Sequence, residues 1–149
     1  MTLDPSPRAR ILFLCTGNRA RSQLAEGLTR GLVAAGVEVA SAGSRPNPRG
    51  VHPRVVELLR ERGIDATAFR PKHLDELEGA FDWVITLCDD AARECPTYPA
   101  RRGRLHWGLP DPDRAGGDPE KERQVFRDLR DDLERRLLAW LASERLLGS

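Results

Sequence analysis

Residues 9–28 read ARILFLCTGNRARSQLAEGL, and a strand, a loop and a helix follow one another within that stretch. The apolar run at 9–14 has no polar alternation, the pattern of a strand buried on both faces in a parallel sheet. It stops at Cys15. A small polar segment, TGNRAR, follows. From Ser22 the apolar positions take helical spacing, with Leu24, Leu28, Leu32 and Ala35 on one stripe and Gly36 as the stop signal. A buried strand that turns straight into a helix opens an α/β layer fold.

Outward from that unit the alternation continues. VEVASAG (37–43) reads as a second strand, and residues 52–62 as a second helix with Val55, Val56, Leu58 and Leu59 apolar and Gly63 as its stop. DWVITLC (82–88) is a third strand ending at Cys88, DDAARE (89–94) a short helical segment, and RLHW (104–107) a fourth strand. Residues 119–146 form a long last helix whose stripe of Val125, Phe126, Leu129, Leu133, Leu137, Trp140 and Leu141 belongs to the core. The Pro- and Gly-rich stretch 108–119 is a loop, and no repeat or linker divides the chain. The expectation is one domain over 1–149 with 1–8 flexible: a four-stranded parallel sheet flanked by helices on both faces.

The chain has 149 residues, 40% hydrophobic and 32% charged, with a net charge of +1. That balance gives no reason to expect a nucleic-acid or membrane partner, so any anion must be held by local geometry. The opening MTLDPSPRAR lacks the apolar core of a signal peptide, and no apolar run is long enough to span a bilayer. A cytoplasmic monomer is expected. Three cysteines, an odd number, do not suit a purely structural disulfide framework.

The chemistry concentrates in CTGNRARS, residues 15–22. A tight turn at a helix N-terminus points several backbone N–H groups at one spot, a socket for a tetrahedral oxyanion made of Thr16, Gly17, Asn18, Arg19, Ala20 and Arg21. Gly17 allows the turn to close tightly. The same field stabilises a Cys15 thiolate. Arg21 can grip two oxygens as a planar fork, which a lysine could not do, and the Ser22 hydroxyl can donate to the sulfur. The bland alternative is a buried strand-end cysteine beside a chance arginine. The pattern C-x5-R-S, with strand and helix around it, favours the reactive reading.

With these residues the chain resembles the low-molecular-weight tyrosine phosphatase superfamily, and within it the thioredoxin-coupled arsenate reductases. The matching segments are FLCTGNRARSQLAEG (13–27), SAG (41–43), VITLCDDAARECP (84–96), HWGLPDP (106–112) and the final helix, essentially the whole chain. The phosphatases proper lack the TLC…CP element and place tyrosines after the DP dipeptide, where this chain has Asp113 and Arg114; its only tyrosine is Tyr98. The resemblance implies a flavodoxin-like strand order, in which ligands sit beside the C-terminal ends of the first and third strands. Cys15 and Cys88 hold those ends, and adjacent strands lie about 4.8 Å apart, so a Cys15–Cys88 disulfide is within reach. Cys88 and Cys95 differ: seven helical residues rise about 10.5 Å, so pairing them requires that segment to unwind. Their bland reading is two buried structural cysteines.

The resemblance implies reduction of arsenate to arsenite. Cys15 attacks arsenic, Asp111 of the DP dipeptide is the general acid, Cys88 then attacks Cys15, and Cys95 resolves that disulfide. Thioredoxin is the implied external reductant, no cofactor is bound, phosphate competes with arsenate, and weak phosphatase activity is a side reaction. By itself Asp111 reads as a turn former beside proline. The family often holds a potassium ion behind the loop; Asn18, Glu26 and Ser41 match three of its positions. The usual acidic fourth ligand is missing, with Pro71 and Lys72 there, so a lysine ammonium stands in for the metal. Arg19 departs from the commoner family loop and adds positive charge at the rim. His52, His73 and His106 show no metal-ligand spacing, and Trp83, Trp107 and Trp140 read as core or pocket wall. Two other functions fit the same residues: a phosphatase acting on phosphotyrosine, and a non-enzymatic thiol sensor or trivalent-metalloid binder that would need neither Arg21 nor Asp111.

Overall fold

The structure is a computed structural model that describes residues 8–89, 95–114 and 117–149. Strand β1 (Ala9–Cys15) leads into helix α1 (Arg21–Leu32), then β2 (Val37–Gly43), α2 (Pro53–Glu61), β3 (Phe81–Thr86), β4 (Ala100–His106) and α3 (Pro119–Ser143). Short 3-10 turns occupy Leu74–Glu76 and Pro112–Arg114. The four strands form one sheet in the order β2-β1-β3-β4, every pair parallel. This is the flavodoxin-like order, with the switch point at the ends of β1 and β3.

Successive β1 side chains point to opposite faces. Ile11 and Phe13, fully buried, join a cluster built with Leu24 and Leu28 of α1, Val55 and Leu59 of α2, and Phe126, Leu133 and Leu137 of α3. Each such side chain contributes roughly 1.5–3 kcal/mol by leaving water. Leu12 and Leu14 face the other way, into a smaller cluster with Ala42, Phe81 and Val84, covered by Leu74, Leu77 and Tyr98. The expected arrangement had helices on both faces. Among the described residues all three α-helices share one face, and a 3-10 turn and the loop before β4 cover the other. The helical segment expected at 89–94 lies outside the described residues apart from Asp89, which is in a loop.

Two boundaries differ from expectation for identifiable reasons. Helix α1 ends at Leu32, because Val33 bridges to Leu147 and the Gly148 amide donates to the Leu32 carbonyl. Ala35 is therefore beyond the helix, and exposed. Strand β4 begins at Ala100, four residues earlier than its apolar pattern suggests; it is an edge strand, and its side chains are mostly polar and exposed. In α3, Val125 is exposed, while Trp140 packs edge-on against both Trp83 and Trp107. Residues 1–7 lie outside the described residues, but Arg8, expected to be flexible, donates its amide to the Gly36 carbonyl at 2.8 Å.

Candidate active site

The end of β1 and the first turn of α1 border a cleft of about 70 Å³ lined by Cys15, Gly17, Arg19, Ala20, Arg21, Asn47, Asp111 and Asp113. Its shape depends on close backbone approach. Gly43, at the end of β2, is the register partner of Cys15, and a Cβ there would collide with the Thr16 carbonyl oxygen. Gly17 does not carry the tight turn: a Cβ there meets nothing nearer than the Asn47 Cβ at 3.8 Å. The left-handed residue is Asn18, with φ of 48°, one of the few side chains that tolerate that region.

Helix α1 has no side-chain cap, since Ala20 stands at its N-cap and no acidic residue lies in its first turn. Both other helices are capped, α2 by His52 and α3 by Asp118. The first-turn N–H donors of α1 are thus left for an acceptor in the cleft.

Behind the cleft, hydrogen-bond partners fix where each proton points. The Asn18 carboxamide oxygen accepts from Gln23 Nε2 at 3.0 Å and from the Lys72 amide at 2.9 Å. Its nitrogen therefore donates, to Ser22 Oγ at 2.7 Å and to Ser41 Oγ at 2.9 Å. Ser41 passes its own proton to Glu26 Oε1 at 2.7 Å. Ser22 Oγ, which accepts from Asn18, also lies 2.8 Å from Cys15 Sγ; toward a thiolate its hydroxyl would be the donor. Glu26, only 3% exposed, also receives Arg30 Nε at 3.0 Å and faces the Lys72 ammonium at 3.8 Å. Burial, exceeding the opposing pull of Glu26, holds the Lys72 pKa below its ordinary value.

Of the six residues expected to bind the oxyanion, Gly17, Arg19, Ala20 and Arg21 line the cleft; Thr16 and Asn18 do not. The Asn18 side chain belongs to the buried network, and Thr16 Oγ1 lies 4.0 Å from Cys88 Sγ. The Arg19 guanidinium is engaged by Asp113 and the Gly50 carbonyl, and Arg21 Nη1 donates to the Leu109 carbonyl at 3.0 Å. One oxygen of Asp111 accepts the Asp113 amide at 3.0 Å, as in a turn, and the residue still borders the cleft with Cys15.

Cys88 follows β3, where the Leu87 amide donates to the Leu14 carbonyl at 2.8 Å. It is disulfide-bonded to Cys95 with Cα atoms 5.8 Å apart, and Cys15 is a free thiol. Cys88 is buried and Cys95 exposed. Cys95 borders a separate groove of about 340 Å³ with Thr86, Pro96, Thr97, Arg104, Leu105 and His106.

Asn47 and Asp113 on the cleft wall, and Gln23 behind it, were not singled out as parts of the cleft machinery from sequence. His52 and His73 accept backbone amides as N-caps of α2 and of the Leu74–Glu76 turn. The His52 pKa lies below its ordinary value, through burial first and the Arg19 charge second.

The sequence matches the low molecular weight phosphotyrosine protein phosphatase family over residues 10–146. It is 43% identical over 129 residues to the arsenate reductase of Shouchella clausii, covering 85% of this chain and 91% of that protein. It is 40% identical over 128 residues to that of Bacillus subtilis, with the same coverage of 85% and 91%. Among solved structures, the thioredoxin-dependent arsenate reductase of Corynebacterium glutamicum superposes with a TM-score of 0.69 at 34% identity, covering 94% of this chain and 63% of that one. The chain thus spans a little under two thirds of the Corynebacterium protein's length.

Proposed function

The chain belongs to the low-molecular-weight phosphotyrosine protein phosphatase family, and from that premise we propose that it reduces arsenate to arsenite. The observation that carries the proposal is a free Cys15 in the oxyanion cleft together with a Cys88–Cys95 disulfide whose exposed member is Cys95. The similarity to curated arsenate reductases over 85% of the chain supports it.

The steps balance as follows. Arsenate enters the cleft, where the loop N–H groups and Arg21 hold its oxygens. The Cys15 thiolate forms a bond to arsenic, and one oxygen leaves as water with a proton supplied by Asp111. The Cys88 thiolate then attacks the Cys15 sulfur. A Cys15–Cys88 disulfide forms, the sulfur–arsenic electron pair stays on arsenic, and arsenite departs with arsenic reduced by two electrons. Cys95 attacks Cys88, which forms the Cys88–Cys95 disulfide and releases Cys15 as thiolate. An external dithiol attacks the exposed Cys95 and returns both cysteines to thiols. Thioredoxin is the reductant proposed, as the Corynebacterium protein is thioredoxin-dependent. A monomer in a reducing cytoplasm suits this cycle; no helix among the described residues is long and apolar enough to cross a membrane.

Phosphate fits the same cleft and competes. A phosphate ester would transfer its phosphoryl group to Cys15 and be hydrolysed, giving the weak phosphatase activity expected. Among the described residues the cleft has no aromatic wall for a phosphotyrosine ring, and Tyr98 lies elsewhere, donating to the Gly79 carbonyl and packing on Phe81. A monovalent cation at Asn18, Glu26 and Ser41 fits poorly. The Asn18 oxygen already accepts two donors, and Glu26 is met by Ser41, Arg30 and Lys72.

The test follows NADPH consumption with arsenate, thioredoxin and thioredoxin reductase, for the native chain and Cys88→Ser, beside a phosphatase assay. Turnover lost in Cys88→Ser with phosphatase activity retained supports the cascade. No arsenate turnover, with strong phosphatase activity in both proteins, refutes it.

A further inference from the structure

We propose that Arg19 is a positioning residue: its ion pair with Asp113 holds the loop carrying Asp111 closed against the Cys15 loop. Arg19 occupies an oxyanion-ligand position in the loop, yet its guanidinium is committed elsewhere. Nε donates to Asp113 Oδ2 at 3.0 Å and Nη1 to the Gly50 carbonyl at 2.8 Å, with the side chain only 8% exposed.

The second Asp113 oxygen is held as well. His52 Nδ1 accepts the Arg54 amide at 3.1 Å, so a neutral ring carries its proton on Nε2, which lies 3.3 Å from Asp113 Oδ1. The His52 amide donates in turn to the Arg19 carbonyl at 3.0 Å. Arg19, Asp113 and His52 therefore close a ring, and the His52 ring rests 4.5 Å from that of Phe126. The bond joins a buried guanidinium to a carboxylate whose side chain is 30% exposed, so loss of Asp113 leaves the buried Arg19 charge with only the Gly50 carbonyl.

The consequence reaches Asp111 directly. The Asp113 amide donates to Asp111 Oδ1 at 3.0 Å, so fixing Asp113 fixes one oxygen of the acid. At the loop's other end Arg21 holds the Leu109 carbonyl. Two arginines on either side of Ala20 thus tie the loop at Leu109 and Asp113, with Asp111 midway between them. Arg19 acts on the reaction through the acid, not through the anion.

The inference rests on Asp111 being the general acid, and a single-turnover experiment separates the two claims. Fully reduced protein is mixed with arsenate, and arsenite formation is followed for native, Asp111→Asn, Arg19→Ala, Asp113→Ala and Arg19→Ala/Asp111→Asn proteins. Removing the acid should slow the maximal rate roughly 100-fold. Arg19→Ala and Asp113→Ala should each slow it roughly 10-fold, with the half-saturating arsenate concentration within about twofold of native. Added to Asp111→Asn, the Arg19 change should cost less than about twofold, since the group it positions is gone. Cys15 alkylation by iodoacetamide should stay near native in both Arg19 variants. A raised half-saturation with the maximal rate intact would make Arg19 an anion ligand and overturn the proposal. So would a full multiplicative loss on top of Asp111→Asn, or slowed alkylation, either of which means that Arg19 shapes the nucleophile's own loop. Native rate in Asp111→Asn alone removes the acid itself, and the clamp with it.

Discussion

Replacing Gly43 with alanine should displace the catalytic loop. The new Cβ would collide with the Thr16 carbonyl oxygen and lie 2.9 Å from the Cys15 carbonyl oxygen and 3.0 Å from the Thr16 carbonyl carbon. All three are backbone atoms, so no rotamer change relieves the overlap. Carbon–oxygen contacts normally begin near about 3.3 Å, so loop and strand must separate by several tenths of an ångström or more. Overpacking of this kind costs about 1–3 kcal/mol. At about 2.1 cal/mol/K per residue, the unfolding entropy of a domain this size makes each kcal/mol worth roughly 3 °C. The variant should therefore melt roughly 3–9 °C lower. A displacement near 1 Å also misaligns Cys15, which lowers single-turnover arsenite formation by up to roughly 100-fold. Calorimetry and quenched single-turnover assays on the same preparation read both. Melting within about 1 °C of native together with turnover within about twofold would refute the reasoning. A lower melting point with native turnover would show that β2 yields instead of the loop.

Two further predictions concern buried charge. The folded pKa of His52 is lowered from 6.5, so as pH falls the unfolded chain takes the proton first; the contribution is intact above 6.5 and is lost on going below it. Protonated Nδ1 could not cap α2, a loss of about 1 kcal/mol, so native protein should lose roughly 3 °C more than His52→Asn between pH 7.5 and 5.5, and the opposite trend in paired melts would contradict the assignment. Since Lys72 faces Glu26, arsenate turnover should be the same in KCl and NaCl at equal ionic strength, whereas Lys72→Asp should become faster in KCl. A several-fold potassium effect on the native protein would restore the cation site.

Legibility in the sequence followed locality. Strand β1 was readable to within one residue, because a buried parallel strand is written as an unbroken apolar run; β2, at one edge of the sheet, was readable to the residue from Val37, Val39, Ala40 and Ala42 following Gly36. The first half of β4, ARRG, was not: at this edge Arg101 and Arg102 are exposed, so the segment carries no apolar signal. The end of α1 was hidden for another reason. VAA continues a helical pattern, and only the tail at Leu147 and Gly148, more than a hundred residues away, turns the chain at Val33. The same distance hid the arginine clamp, whose partners Arg19 and Asp113 are 94 positions apart. His52 escaped notice because caps are sought among Ser, Thr, Asp and Asn, although Pro53 at the first helical position was a visible sign.

What local rules disfavour in this chain collects around Cys15. Helix α1 begins without a cap, which forgoes about 1 kcal/mol. Asn18 adopts a left-handed backbone, and Lys72 is desolvated beside a buried carboxylate. The departures at Asn18 and Lys72, though not the missing cap, are offset by hydrogen bonds and ion pairs behind the loop. Ser41, Gln23 and Lys72 hold the Asn18 side chain, and Arg30 and Ser41 satisfy Glu26. A cap at Ala20 would satisfy the first-turn donors of α1 internally and leave less for an anion; an ordinary turn at residue 18 would not bring its amide to Ser22. With a net charge of only +1, the protein has no global field to concentrate an oxyanion, so attraction must come from donors left unsatisfied at one place. The local instability and the anion affinity proposed for the cleft then have one physical origin, and the hydrogen bonds behind Cys15 are what allow the fold to keep both.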